Sequence, residues 1–208
     1  MAFDYKKAYR EFYLPKDRPA LVTIPAMQYM AVRGQGDPNL PEGEYQRALQ
    51  MLYATAYTLK MSGRAGRRID GFFEYVVPPL EGFWQQARGG DTADKAAFRW
   101  ISVIRLPEFV TEETLRWAKQ TAAEKKKIDC AAVELLTVSE GLCVQCMHVG
   151  PFDREAETVA RMDRFLADNG YVNDMSETRL HHEIYLSDVR KTPPEKWKTV
   201  IRHPIRRG

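Results

Sequence analysis

Cysteine is scarce in this chain: Cys130, Cys143 and Cys146 are the three thiols among 208 residues. An odd, small number fits a reducing compartment better than a disulfide framework. Long apolar runs are missing as well, and the start MAFDYKKAYREFY has no hydrophobic signal core. A cytoplasmic protein with no membrane partner is expected. Net charge is small, +3 with a pI near 8.7, too weak to call for nucleic acid. Lys125 to Lys127 close a predicted helix, where cations suit the dipole, and Arg202, Arg206 and Arg207 sit in the tail. Both basic groups read as solvated.

Signatures of cofactor chemistry are equally thin. Gly34-Gln-Gly36-Asp37 lacks the third glycine of a dinucleotide fingerprint and the Lys-Ser/Thr of a P-loop, so it predicts a tight turn. Nothing resembles a nucleophile elbow. Cys143-Val-Gln-Cys146 lies in a predicted strand that sends the two sulfurs to opposite faces, and no second pair completes a zinc site. These thiols read as buried and structural. No metal and no organic cofactor is expected.

What is present is a globular composition, 44% hydrophobic and 28% charged, long enough for one sizeable domain or two small fused ones. An internal repeat organises it. Trp100-Ile-Ser-Val-Ile-Arg-Leu-Pro107 returns as Trp197-Lys-Thr-Val-Ile-Arg-His-Pro204. Upstream, Leu21 to Gly34 parallels Leu135 to Gly150, and Phe73-Glu-Tyr-Val76 parallels His182-Glu-Ile-Tyr185. The order strand, helix, strand, strand occurs twice, and a duplicated βαββ unit is the simplest account. Helical spacing predicts a helix over 44–61, with Tyr53 and Tyr57 as an adjacent i,i+4 row. Strands are predicted at 72–77, stopped by Pro78-Pro79, and at 98–105. Thr111 reads as the N-cap of a linker helix and Asp153 as the N-cap of the second unit's helix. Residues 63–68 and 87–94 read as mobile loops.

One stretch poses a chemical question. In His181-His-Glu-Ile-Tyr-Leu-Ser-Asp188, alternation puts Glu183 beside Tyr185, opposite Ile184 and Leu186. An unpaired buried carboxylate is costly and raises its own pKa, so a core does not want it there. A pocket does, because flat rings grip planar ligands while a carboxylate selects a cation or serves as general base. Tyr53, Tyr57, Phe73, Tyr75, Phe83, Trp84, Trp100 and Tyr185 all fall on or beside elements of the repeat. Glu155, near a predicted helix N-terminus, is a second candidate acid.

These features together resemble the GyrI-like small-molecule-binding family, in the stand-alone branch that includes cyclopropanoid cyclopropyl hydrolases. The resemblance rests on Gly34-x-Gly-Asp-Pro-Asn39, Leu52-Tyr-x-x-x-Tyr57, Pro79-Leu-Glu-Gly-Phe-Trp84 and Trp100-x-x-x-x-Arg105. It continues through His148-Val-Gly-Pro-Phe-Asp-x-Glu155, His181 to Asp188 and Lys198-Thr-Val-Ile-Arg-x-Pro204. It implies an α+β fold of two SHS2-like βαββ modules, about 18–107 and 131–205, joined by a helical linker near 108–130 in a single domain over 1–208. It further implies pseudo-two-fold symmetry, an antiparallel sheet with helices on one face, and a ligand cleft between the modules. The first module begins near residue 20, so a regulator with a DNA-binding domain is not expected. Carried onto this chain, Glu183, Glu155 and Tyr57 become the candidate catalytic residues. Tyr53, Trp84, Trp100, Tyr185, Phe73, Phe83 and His148 become the ligand-binding set. Phe152 departs from the tyrosine expected after Gly-Pro. The implied activity is hydrolytic opening of a strained cyclopropane in planar DNA-alkylating compounds. The alternative is a non-catalytic binder of planar, often cationic, small molecules, in either case a monomer or weak homodimer.

Overall fold

A computed structural model describes residues 2–86 and 95–208, so the predicted loop at 87–94 lies outside the described residues. The chain is α+β with antiparallel strand pairing, and it divides into two compact units that are not consecutive in sequence. The first comprises Met1–Tyr5, Met27–Pro78 and Gln86–Val138, the second Lys6–Ala26, Pro79–Gln85 and Ser139–Gly208. Two helical turns, α1 (Tyr5–Ala8) and α2 (Arg10–Tyr13), precede the 16-residue strand β1 (Ala20–Gln35). Strand β1 runs through both units, as does the equally long β4 (Glu134–Val149). Neither long strand is confined to one unit.

In the first unit β1 pairs antiparallel with β3 (Phe98–Arg105), from Tyr29 against Arg105 to Gln35 against Arg99. Helix α3 (Glu44–Lys60) buries Leu52, Ala56 and Leu59 and packs against α4 (Glu112–Lys126). Leu115, Ala118 and Ala122 form the buried stripe of α4, at the i, i+3, i+7 spacing of one helix face. The helix predicted as a linker is thus an integral layer of this unit. Thr111 caps it as predicted, accepting from the Thr114 amide at 3.3 Å. Gly34 is required by close approach, since a Cβ there would stand 2.2 Å from the Trp100 ring. The predicted tight turn follows, with Gly36 at φ +105° and Asp37 Oδ1 accepting the Asn39 amide at 2.8 Å.

The strand predicted at 72–77 does not form. A single bridge joins Tyr75 to Phe3, while Phe72, Phe73, Tyr75 and Phe109 pack ring against ring at centroid distances of 5.3–6.4 Å. Ring packing rather than a hydrogen-bond ladder orders this segment. The strand β2 (Leu80–Gln86) begins just after Pro78-Pro79, where missing proline donors cost the ladder nothing. Glu74 consequently has no strand position corresponding to that of Glu183.

In the second unit β6 (His181–Tyr185) pairs with β2 on one side and with β7 (Lys198–Arg207) on the other, all antiparallel. Strand β7 also pairs with β4 and with the short β5 (Tyr171–Asn173). Helix α5 (Glu155–Asp168) buries Met162 and Leu166 against Val144, Cys146, Ile201 and Ile205. Each such side chain contributes about 1.5–3 kcal/mol by leaving water. Asp153 is not its N-cap. Residues Phe152–Arg154 first make a 3-10 turn, and Arg154 takes the cap position. The three thiols are free and buried, in line with the structural reading. Among the described residues no helix is long and apolar enough to cross a membrane.

Candidate functional site

Strand register sorts the second unit's polar residues into two groups. Residues opposed across a ladder project to the same face. Trp84 opposes His181 and Gly82 opposes Glu183, while across β7 Glu183 opposes Ile201. His181, Glu183 and Tyr185 therefore share the face that α5 covers. His182 and Ile184 share the other, with Phe83, Glu81 and Arg202.

On the α5 face, Glu183 is only 9% exposed. It accepts a hydrogen bond from His181 Nε2 at 3.1 Å, and His181 Nδ1 lies 2.7 Å from His203 Nε2. Glu155 enters from the first turn of α5. One ligand-type atom from each of Glu155, His181 and Glu183 lies within 4.8 Å of the others, and among the described residues they are the only such group of three. The spacing would admit a cation. The His181–Glu183 hydrogen bond already accounts for the approach of two of the three. Burial and the neighbouring Glu183 charge push the Glu155 carboxyl up to about 7, with His181 pulling in the opposite direction. Burial lowers His181, but the hydrogen bond and charge of Glu183, then the charge of Glu155, more than offset this and raise it. Near neutral pH Glu155 can thus gain or lose a proton beside the Glu183 charge, an arrangement suited to acid–base work.

Aromatic side chains flank this group. Trp84 Nε1 donates to Tyr185 Oη at 2.9 Å, and Phe152 meets Tyr185 edge-on at 5.7 Å. Gly82 makes the first contact feasible, because a Cβ there would stand 2.6 Å from the Trp84 indole nitrogen. Phe152 supplies ring area without the hydroxyl that tyrosine would have brought.

The opposite face holds a buried charge cluster. His182 lies between Glu81 (2.9 Å) and Glu140 (3.0 Å), and Phe83 stacks on its ring at 4.1 Å. Arg202 donates to Glu140 at 3.1 Å, to Gln145 at 3.0 Å and to the Phe12 carbonyl at 2.7 Å. Arg202 is therefore not a solvated tail residue, because β7 carries it into the interior. Burial opposes the Glu140 charge, yet His182 and Arg202 hold its carboxyl down at about 2. Phe83 belongs to this cluster and not to the α5 face.

His148 is buried, with Nδ1 2.9 Å from Thr158 Oγ1 and Nε2 donating to the Pro151 carbonyl at 3.1 Å, so both ring nitrogens secure the start of α5. A polar cavity of about 250 Å³ adjoins it, lined also by Asp17, Arg154, Glu157 and Arg161. Tyr53, Tyr57, Phe73 and Trp100 belong to the first unit. Tyr53 and Tyr57 stack on the exposed side of α3 with centroids 6.5 Å apart, Tyr57 being 47% exposed. Phe73 lies in the aromatic cluster around Tyr75 and Phe109. Trp100 is 2% exposed, edge-on to Tyr45, as a packing residue is. Sequence reasoning missed His181, His182, His203, Glu81 and Glu140. The available signal was the alternation of His181-His-Glu183, which assigns adjacent histidines to different faces.

The GyrI-like small molecule binding domain matches residues 18–206, and the chain belongs to that family. It is 48% identical to a hydrolase from Listeria innocua, with a TM-score of 0.90 over 98% of this chain and 100% of that one. It is 49% identical to an uncharacterized conserved protein from the same organism, with a TM-score of 0.93 over the same shares. The EcmrR C-terminal domain, 12% identical with a TM-score of 0.54 over 92% of this chain and 98% of that one, shares the fold alone. Comparison with curated proteins finds no match.

Proposed function

We propose that this protein is a hydrolase that binds planar hydrophobic xenobiotics and opens cyclopropanoid rings, using Glu183 as general base and Glu155 as general acid. The observation that carries the reading is a half-buried Glu155 whose carboxyl is pushed up to about 7 beside the charge of the buried Glu183. A carboxyl that keeps its proton near neutral pH can serve as the acid while its carboxylate neighbour serves as the base. The hydrolase from Listeria innocua, 48% identical over 98% of this chain, supports the reaction class.

The substrate class fits elementary chemistry. A cyclopropane conjugated to a dienone is strained, and its opening yields an aromatic phenol. Glu183 removes a proton from water as the oxygen attacks the ring methylene. The cleaved carbon–carbon bond's electrons move into the dienone, and Glu155 protonates the carbonyl oxygen that becomes phenolic. Water supplies both the new hydroxyl and, in net, the phenolic proton, so no redox partner is involved. General-base help of this kind is worth about a hundred- to ten-thousandfold. Trp84 and Tyr185 form the aromatic wall beside the acids. Tyr53 and Tyr57 are proposed as a ligand-contacting face of α3, with the Tyr57 hydroxyl as a hydrogen-bond donor. The same reading takes residues 18–107 and 131–205 as copies of one SHS2-like module, supported by the recurring element order.

Incubation of pure protein with a spirocyclopropyl dienone, following ring-opened product, tests this. Glu183→Gln and Glu155→Gln should each lose most turnover. Full retention in both variants would remove these acids from the mechanism. The sequestering alternative rests on the same carboxylate beside Trp84 and Tyr185. It predicts binding of a planar cationic dye, lost in Glu183→Gln, with no product at any time.

A further inference from the structure

We propose that Asn173, His203 and His181 form a one-way hydrogen-bond relay that orients Glu183, making His181 and His203 positioning residues of the site. The inference rests on the acid–base reading for its consequence, though not for its geometry.

The direction follows from donor and acceptor accounting, beginning at an amide whose orientation is fixed. Asn173 Oδ1 accepts the Met175 backbone N–H at 2.9 Å, so the Asn173 amino group is the end turned toward His203 Nδ1, at 3.4 Å. An amide NH2 can only donate. His203 Nδ1 must therefore accept, and the proton of a neutral His203 sits on Nε2. That Nε2–H points at His181 Nδ1, 2.7 Å away, which must accept in turn. The His181 proton is then on Nε2, donated to Glu183 Oε1 at 3.1 Å. Every link is used, every donor meets an acceptor, and the chain ends on the carboxylate.

Burial keeps the middle of the chain uncharged: it is the main cause that holds His203 down to about 3. Glu183 and Glu155 raise His181, so the relay belongs to the neutral His181 found on the alkaline side of its titration. The groups facing His181 are Glu183 on its own strand, Glu155 from α5, His203 from β7 and neighbouring His182. An imidazole N–H held from behind fixes both the tautomer and the carboxylate rotamer, as an oriented partner does for catalytic and metal-bound histidines. The free oxygen of Glu183 is left to receive a proton. The repeat underlines the point, because His203 stands where the first W-x-[ST]-V-I-R-x-P run has Leu106.

Asn173 is exposed and touches neither acid, so it offers a handle far from the chemistry. Imidazole nitrogen NMR of the full chain at mildly alkaline pH should show His203 and His181 both protonated on Nε2. Asn173→Asp, which replaces a donor by an acceptor, should move the His203 proton to Nδ1. Turnover should then fall about ten- to a hundredfold with KM little changed, the range for losing a group that orients another functional side chain. His181→Gln, which can still present an N–H to Glu183, should retain more turnover than His181→Ala. A wild-type His203 already protonated on Nδ1, or unaltered by Asn173→Asp, would overturn the relay even if product forms. The predicted tautomers without any product would leave the relay standing and overturn the hydrolase reading instead.

Discussion

The two units carry the same W-x-[ST]-V-I-R-x-P run and use it for different ends. In the first, Arg105 lies over the Tyr5 ring at 4.7 Å, and Trp100 packs edge-on against Tyr45 at 5.1 Å. Rings dominate there. In the second, Arg202 sits in a buried cluster with Glu140, His182 and Glu81, and Trp197 donates to the Thr192 carbonyl at 2.7 Å. Charges dominate here. The contrast shows that one short sequence pattern fixes strand placement while its neighbours decide what the strand carries. The carboxylate at 183 is held by His181, with His203 behind it and α5 above, and these belong to the second unit.

The sharpest break in this contrast is chemical. Glu183→Gln should reduce ring-opening by about a hundred- to ten-thousandfold, measured as product release. Tyr53→Ala on the first unit's α3 should chiefly weaken ligand binding, read by dye titration. Next comes stability. Arg202→Met removes one partner from a buried charge cluster and should cost about 3–5 kcal/mol in urea unfolding. Arg105→Met should cost about 0.5–2 kcal/mol, the scale of a cation–π contact. Equal losses would erase the distinction between the units.

Smaller effects follow from pH. The Glu140 carboxyl is held at about 2 in the folded protein against an ordinary 4.5. A depressed carboxyl contributes stability that is present above the ordinary value and is lost as pH falls toward the folded one. Acid unfolding between those values should therefore become shallower in Glu140→Gln. Glu155 runs the opposite way. It is raised to about 7, so turnover should decline as pH rises through that value and the acid loses its proton. That alkaline limb should be missing from the residual activity of Glu155→Gln. The smallest expected effect is that of exhaustive chelation, which should leave turnover unchanged if a proton, and not a cation, lies between Glu155 and Glu183.

Much of the fold was legible because period and punctuation are local. Helix α3 follows its apolar spacing, α4 its Thr111 cap, and Gly34-Gln-Gly36 its turn. The failures are equally physical. Phe72 to Val77 has strand composition, yet Phe3 and Phe109, remote in sequence, draw its rings into a cluster. Asp153 has cap chemistry, yet the chain first makes a 3-10 turn. Arg202 looked like part of a basic tail, because nothing local shows that β7 is flanked by β4 and β6.

The sequence by itself determined the family, the order of the principal elements and the suspicion attached to Glu183 and Glu155, since motif, periodicity and a misplaced charge are properties of neighbours along the chain. Tertiary structure alone decided that His181 and His203 stand behind Glu183 while His182 serves a separate cluster. Strand register sets which side chains meet, and register is fixed by pairing between segments that the linear order keeps apart.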